Sequence, residues 1–461
     1  METLYQIMKM MLVVVFSLEQ LFAPKIAGGD LPPGGPAWPG DETKYAQIST
    51  VDEGFDIFQP VGIEEGSGGY RYGPTMILNS DDSLDVWCAS NGPGDYIDIV
   101  NYKRYSADFK KSTPEVTAVT PTAGSYDCGE VPCACDPGVI KFGGWYYIGY
   151  TTKWICVARS RDPEGPFLEK WTGDGWGAEP APIISYDGTT GYFGAGEPSF
   201  VVVDDTLYIY YSWIDEHGTA TRVATADATD ENWPATVQYK GVAIPDKTDG
   251  DSADVVYSDE FGRFIAVFTE RRFSDDSYVA VWESFDGLNF RRSGFVQENT
   301  CKKLHNCGIS GRADGHIAKG DPVYLGYAYA GADTAGNWGK WGTRLHKVTL
   351  SLADEPMTDL STLTHSEAVV TTRKTSVLPR ILTVKAQNLT YTISGSEHIW
   401  VMAFDESGIC FPILTGLRFD GYDPKVIKMI GSLVIPVSPG DTRVWVHWHG
   451  FTSSFVVHVT G

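Results

Sequence analysis

Scanned for apolar and polar positions, the chain falls into pairs of short strands separated by tight turns. "YGPTMILNSDDSLDVWCAS" from Tyr72, "DPGVIKFGGWYYIGYT" from Asp136, "GEPSFVVVDDTLYIYYSW" from Gly196, "ADVVYSDEFGRFIAVFTE" from Ala253 and "ADGHIAKGDPVYLGYAYA" from Ala313 share one layout. Each has an apolar run, a turn rich in Gly or Asp, and a second run rich in aromatic and β-branched residues, as paired strands do. From Gly73 through Asp136, Glu197 and Asp254 to Asp314, the lead positions are 63, 61, 57 and 60 residues apart. Asp136, Asp254 and Asp314 each precede an aromatic (Tyr146, Phe264, Tyr324) by 10 positions, and Glu197 precedes Tyr208 by 11. A third strand follows in several units: "IVNYKRYSADF", "ICVARSRDPEGPF" and "VAVWESFDGLNF".

Five repeats of about 60 residues, each a meander of short strands, predict an all-β chain whose residues 28–350 form a five-bladed β-propeller. Stacked sandwiches would need about 100 residues per unit. Such a ring points the first strand of every blade at a common axis, so the residues that lead the repeats are expected in one shared cavity. Residues 351–380 lose the pattern and are expected to close the last blade and then to link. From Ile381 the chain restarts, and "PVSPGDTRVWVHWHGFTSSFVVHVTG" alternates at Val444, Val446 and Trp448 after a Ser-Pro-Gly-Asp turn. Residues 381–461 are therefore expected to form a small β-sandwich, and they resemble bacterial Ig-like domains of group 2. His447, His449 and His458 read as surface residues of its alternating strands.

Composition agrees with this picture. Fifty Gly, 26 Pro, 14 Trp, 24 Tyr and 21 Phe suit short strands and many turns. The formal charge of -23 argues against nucleic acid as a partner, because phosphate binding needs clustered Lys and Arg. "MKMMLVVVFSL" (Met8 to Leu18) is too short to span a bilayer and has the character of a signal-peptide core. Residues 1–27 are thus expected to be a signal peptide of a secreted or cell-surface bacterial protein, with an uncleaved anchor or a buried strand as alternatives; no other membrane association is expected. Cys301 with Cys307, and Cys128, Cys133 and Cys135, lie in polar loops where a disulfide could close a short ring. Cys88 and Cys156 sit in strand-like runs as buried thiols. Zinc needs four ligands at paired spacing; nothing pairs up that way, so no metal site is expected.

Asp136, Glu197, Asp254 and Asp314 lead four of the five repeats. Like charges in one cleft raise each other's pKa, which keeps one carboxyl protonated as a general acid while another activates water or attacks an anomeric carbon. Tyr72, Tyr192, Phe193 and Trp213 offer flat faces for sugar rings. A carboxylate before Pro or Gly can also simply shape a turn, and convergence of four is the argument against that reading.

Asp136 in "DPGVIKFGGWYYIGYT" and Glu197 in "GEPSFVVVDDTLYIYYSW" resemble the modulator aspartate and the acid glutamate of the five-bladed propeller glycosidases, above all glycoside hydrolase family 43, over about residues 70–350. The resemblance implies an inverting glycosidase acting on plant or microbial polysaccharide or oligosaccharide, with no required cofactor. It also implies a third acid, the base, on the blade before the one carrying Tyr72-Gly73-Pro74. That blade would fall near residues 10–20, where the chain has its apolar segment, but ring closure can supply the blade from the other end. This suggests Asp314 as base, Asp136 as modulator and Glu197 as acid, with Asp254 as a substrate or cation contact. If Asp314 only caps a turn, the base could be Asp254, or the site could bind without cutting. The resemblance also implies a structural Ca2+ or a water near the axis beside His316. Arg71 is a candidate to fork onto a sugar carboxylate or one of the acids. Two other classes stay open: a non-catalytic carbohydrate-binding module, and a surface or virion adhesion protein.

Overall fold

The computed structural model describes residues 40–58, 70–91, 98–122, 133–186, 194–215, 218–245, 253–330, 341–366, 381–385, 390–393, 397–404, 410–412, 417–448 and 450–461. The expected signal segment, Cys128, His449, Tyr192 and Phe193 lie outside these. Among the described residues the structure is all-β, with two short 3-10 turns.

The chain enters with β1 (Tyr45–Thr50) and β2 (Phe55–Phe58). One sheet follows from β3 (Arg71–Leu78), β4 (Leu84–Asn91), β5 (Asp98–Tyr105) and β6 (Val116–Val119). The next holds β7 (Cys135–Phe142), β8 (Trp145–Thr151), β9 (Ile155–Ser160), β10 (Glu169–Trp171) and β11 (Trp176–Gly177). A third is β12 (Ala195–Val203), β13 (Thr206–Asp215), β14 (Gly218–Asp227) and β15 (Gln238–Ile244). A fourth is β16 (Asp254–Ser258), β17 (Arg263–Glu270), β18 (Tyr278–Ser284) and β19 (Arg291–Phe295). The last is built on β20 (Leu304–Ile309); after it the two-residue β21 (His316–Ile317) runs parallel to β16, and β22 (Val323–Ala330) and β23 (Trp341–Ala353) complete the meander.

The first strands of the sheets pack on one another in a ring: β3 on β7, β7 on β12, β12 on β16, β16 on β20, and β20 back on β3. This is a β-propeller arrangement. Closure comes from the N-terminal side, since β1 and β2 both pair antiparallel with β23. The 351–380 stretch, expected to close the ring, is described to residue 366, and beyond Ala353 it adds no strand. Glu283, fully buried, fastens the closing strand: it accepts from Ala46 N at 2.8 Å and from Arg263 Nη1 at 2.7 Å. Arg263, equally buried, also reaches the Lys44 and Asp41 carbonyls. A buried pair with its remaining donors satisfied defines geometry, and removing one partner would strand the other charge.

One end of the ring is closed by backbone. The segment Gly311–Gly315, between β20 and β22, passes beneath the ends of the other four first strands. Leu78 N donates to Gly311 O at 2.8 Å, Lys141 N to Ala313 O at 2.7 Å, Val202 N to Asp314 O at 3.0 Å and Tyr257 N to Gly315 O at 2.9 Å. Gly315 has φ +85°, and a Cβ there would stand 3.1 Å from Phe200 O. A side chain would meet both strain and contact.

Apolar faces fill the spaces between neighbouring sheets. Ile140, Tyr147, Phe200, Ile209 and Trp233 pack the second against the third, and Ile265, Val281, Ile309 and Leu325 the fourth against the last. The C-terminal strands form three small sheets. Gly440–Trp448 pairs with Phe451–Thr460 along its whole length, and Thr442, Val444 and Val446 are buried while Asp441, Arg443 and Trp445 face out, the alternation expected. Trp448 is half-buried. Tyr391, Ile427, Val434, Phe455 and Val457 make a core there. His447 bonds Thr452 and Asp420, and His458 bonds Asp441, both in exposed or half-exposed settings.

Candidate active site

At the open end of the axis, three consecutive first strands repeat one device. Gly73 (φ +57°), Asp136 (φ +46°) and Glu197 (φ +56°) are left-handed. Each sits in a register shift of its sheet, between Tyr72 and Thr75, Cys135 and Gly138, and Gly196 and Ser199. Each precedes a Pro, which has no ladder N–H to lose in a bulge. Glycine accepts this conformation freely. In Asp136 and Glu197 it costs on the order of 1–3 kcal/mol each, and both side chains are nearly buried. The surroundings hold them there: Glu197 N donates to Thr151 Oγ1 of the preceding sheet at 2.7 Å.

The two carboxylates are joined by Asn306 of β20. Its Nδ2 lies 3.4 Å from Asp136 Oδ1 and 3.5 Å from Glu197 Oε1. The two oxygens are therefore at most about 7 Å apart. Cys135 Sγ donates to Asp136 Oδ2 at 3.1 Å. Below them Asp254 accepts from Ser199 Oγ at 2.7 Å and from Ile309 N at 2.8 Å; burial pushes its carboxyl up to about 6, against the partial relief of those bonds. Gly73, Pro74, Asp136, Glu197, Asp254 and Cys307 are among the walls of one pocket at the open end of the axis. A Cβ at Gly73 would make ordinary contact with Asp136 Oδ1, at 3.6 Å.

Of the residues singled out from the sequence, Asp136, Glu197 and Asp254 are brought together. Asp314 is not. Its carbonyl is bonded to Val202 N, five residues along β12 from Glu197, which is roughly 16 Å of extended strand, and its Oδ1 accepts from His316 N in its own turn. His316 is at the same closed end, its ring nitrogens 2.6 Å from Asp259 Oδ1 and 2.6 Å from Val202 O. Arg71 leaves the axis as well: it is buried, pairs with Glu115, donates to Tyr70 O at 2.6 Å and stands over the Phe58 ring. A guanidinium already matched by a carboxylate inside the protein is a packing element. Tyr72 is buried, stacks on His305 at 5.1 Å and donates to Asp98 Oδ2 at 3.3 Å. Trp213 opposes Ala195 in β13 and is held edge-on to Tyr186 with Arg222 over its face.

Asp314 is set away from the open end by an insertion. The plug is inserted between the first and second strands of the last sheet, so the ten-residue spacing to Tyr324 measures the wrong strand. The axial residue is Asn306 in "LHNCGI", and a signal for it was present. Asn306-Cys307-Gly308 parallels Asp136-Pro137-Gly138. A Cβ on Gly138 would meet Pro198 O at 2.0 Å, and a Cβ on Gly308 would meet Pro74 O at 2.0 Å. The glycine marks where one first strand touches the next sheet. His305, Phe273 and Trp341, which pack with tilted rings against one another beside Tyr72, carry no signal in the strand pattern. The described cysteines, Cys301 and Cys307 included, are free thiols, so the short disulfide rings are not formed among them.

No family model matches the chain, and the comparison with curated proteins also gives no match. Among solved structures the chain is similar to an α-L-arabinofuranosidase from Podospora anserina in complex with cellotriose, at 12% identity over 66% of this chain and 98% of that one, TM-score 0.46. A family 62 α-L-arabinofuranosidase domain from Coprinopsis cinerea matches at 11% identity over 66% and 98%, TM-score 0.46. A family 117 glycoside hydrolase from Zobellia galactanivorans matches at 14% identity over 68% and 92%, TM-score 0.44. At this level the likeness does not bear on the chemistry, which rests on the site itself.

Proposed function

We propose that the five sheets are the blades of a five-bladed propeller and that the protein is a glycoside hydrolase whose axial carboxylates cleave an oligo- or polysaccharide, with the C-terminal sheets as an Ig-like module. The observation that carries the reading is the meeting of Asp136 and Glu197, both in strained backbone, on one amide beside a cavity that Asp254 also lines. Glu197 is the proton donor to the leaving oxygen. Asn306 orients it, and Asp136 adds the negative charge that favours its protonated form. Asp254, whose carboxyl burial pushes up to about 6, is the group assigned to activate water. The test is release of reducing ends from a panel of arabinans, xylans, galactans and aryl glycosides. Wild type is expected to cut at least one substrate, and Glu197→Gln to cut none at a comparable rate while still binding it.

One observation favours a second reading, carbohydrate binding without cleavage. The ring-closing blade, where the resemblance implies the base, carries Asn306, and an amide cannot take a proton from water. A wild type that binds a glycan of the panel and releases nothing, with Asn306→Asp gaining hydrolysis, selects this reading over the first.

A further inference from the structure

Beside the carboxylate cluster, the start of β5 lies against the start of β7. Asp98 and Cys133 form a parallel bridge, and Ala134 N donates to Asp98 O at 2.9 Å. Cys133 and Cys135, two apart in extended chain, therefore present both sulfurs to the Asp98 carboxylate. Sγ of Cys133 is 3.1 Å from Sγ of Cys135 and 4.0 Å from Asp98 Oδ2, and the three donor atoms all lie within 4.8 Å of one another. Tyr70 and Tyr72 both donate their hydroxyls to Asp98, fixing the carboxylate as an outer shell fixes a ligand. We propose that Asp98, Cys133 and Cys135 bind one thiophilic divalent cation of the Zn2+ class.

Two physical arguments support a cation there. First, the donor set is two sulfurs and one carboxylate, which selects Zn2+ over Ca2+ or Mg2+; three protein ligands leave the fourth tetrahedral position to water. Second, a disulfide is the poorer closure. Cα atoms two residues apart in a strand are about 6.6 Å apart, at the outer edge of the disulfide range of about 4.4–6.8 Å. Bonds of about 2.3 Å to each sulfur let one ion bridge sulfurs up to about 4 Å apart, which needs only a small outward turn of either side chain. The spacing C-x-C had given no reason to expect a metal; the third donor comes from another strand, 35 residues earlier. The site does not depend on the glycosidase reading, and its failure would leave Asp136 and Glu197 where they are.

The test uses the full chain purified under reducing conditions. Purified protein is loaded with Zn2+, dialysed against metal-free buffer and assayed for bound metal, and a Co2+ form is examined for thiolate-to-cobalt charge-transfer absorption. Wild type is expected to retain about one ion per chain. Cys133→Ser and Asp98→Asn are each expected to bind on the order of tenfold more weakly or worse, and Cys135→Ser to weaken the charge-transfer band, one thiolate of the two being lost. A readout that needs no variant is alkylation of the native protein: Zn2+ should protect the peptide carrying Cys133 and Cys135, and a chelator should release it. The proposal is overturned by wild type that retains no ion, by variants that retain as much as wild type, or by a Cys133–Cys135 peptide labelled equally with and without Zn2+. It is equally overturned by a metal-free peptide two hydrogens lighter than its sequence, which is the disulfide.

Discussion

The two ends of the propeller axis are built from the same five strands yet work by opposite means. At the closed end the contacts are backbone to backbone: four amides of four sheets donate to carbonyls of one segment, Gly311–Gly315. Side chains add to this at few points, the His316 ring on Asp259 and Val202 O and the glycines at 311 and 315. At the open end the backbone is spent on bulges that interrupt the ladders, and what remains is side-chain chemistry: Asp136, Glu197, Asp254 and Asn306. One end holds the ring at a fixed diameter, so that the other can hold carboxylates in conformations they would not choose. Strain is retained where surrounding structure over-determines it.

That contrast can be broken in graded ways. The largest effect is expected from Glu197→Gln at the open end, a fall in glycoside release of about 10²- to 10⁴-fold with glycan affinity preserved by calorimetry; an unchanged rate would falsify the role of Glu197. Next is Gly308→Ala, which drives a Cβ into the Pro74 carbonyl and is expected to lower stability by about 3 kcal/mol or more in denaturant titration. Asp254 gives a pH signature of similar size. The folded chain keeps on Asp254, up to a pH of about 6, a proton that the unfolded chain has released near 3.8. Stability should therefore fall as pH rises from about 4 to 6, by about 2–3 kcal/mol for this group, and Asp254→Asn should flatten that slope; a slope that is unaltered removes the burial argument. At the closed end, Gly315→Ala should cost about 1–3 kcal/mol through its left-handed backbone while leaving any glycan affinity intact. The smallest effect is expected for Asp314→Asn, a loss of about 0.5–1 kcal/mol from the bond to His316 N and no change in hydrolysis. A large loss of activity in that variant would return Asp314 to the site.

The strand pairs, the sheet period and the leading residues Asp136, Glu197 and Asp254 were legible because they follow from local alternation and from turns, which neighbours in sequence decide. The bulge was half legible: Gly-Pro, Asp-Pro and Glu-Pro recur at the lead positions, although nothing local says that the residue before each Pro is left-handed. Arg71 illustrates the opposite limit. A guanidinium next to a lead position looks available, and only the fold shows Glu115, 44 residues away, already matched to it.

By itself, then, the amino-acid order determined that the chain would make short antiparallel meanders and that acids, Asp136, Glu197 and Asp254 among them, would head several of these. Tertiary structure alone decided which residue of the last sheet meets the axis, which end of the ring is open, that N-terminal strands complete the last sheet, and that Asp98 lies against Cys133 and Cys135. The physical reason is range. Alternation and turn chemistry act over a few residues, whereas register around a ring is set by contacts between strands 50 to 300 positions apart, such as β1 with β23 and β20 with β3, and an inserted plug can shift that register without disturbing any local pattern.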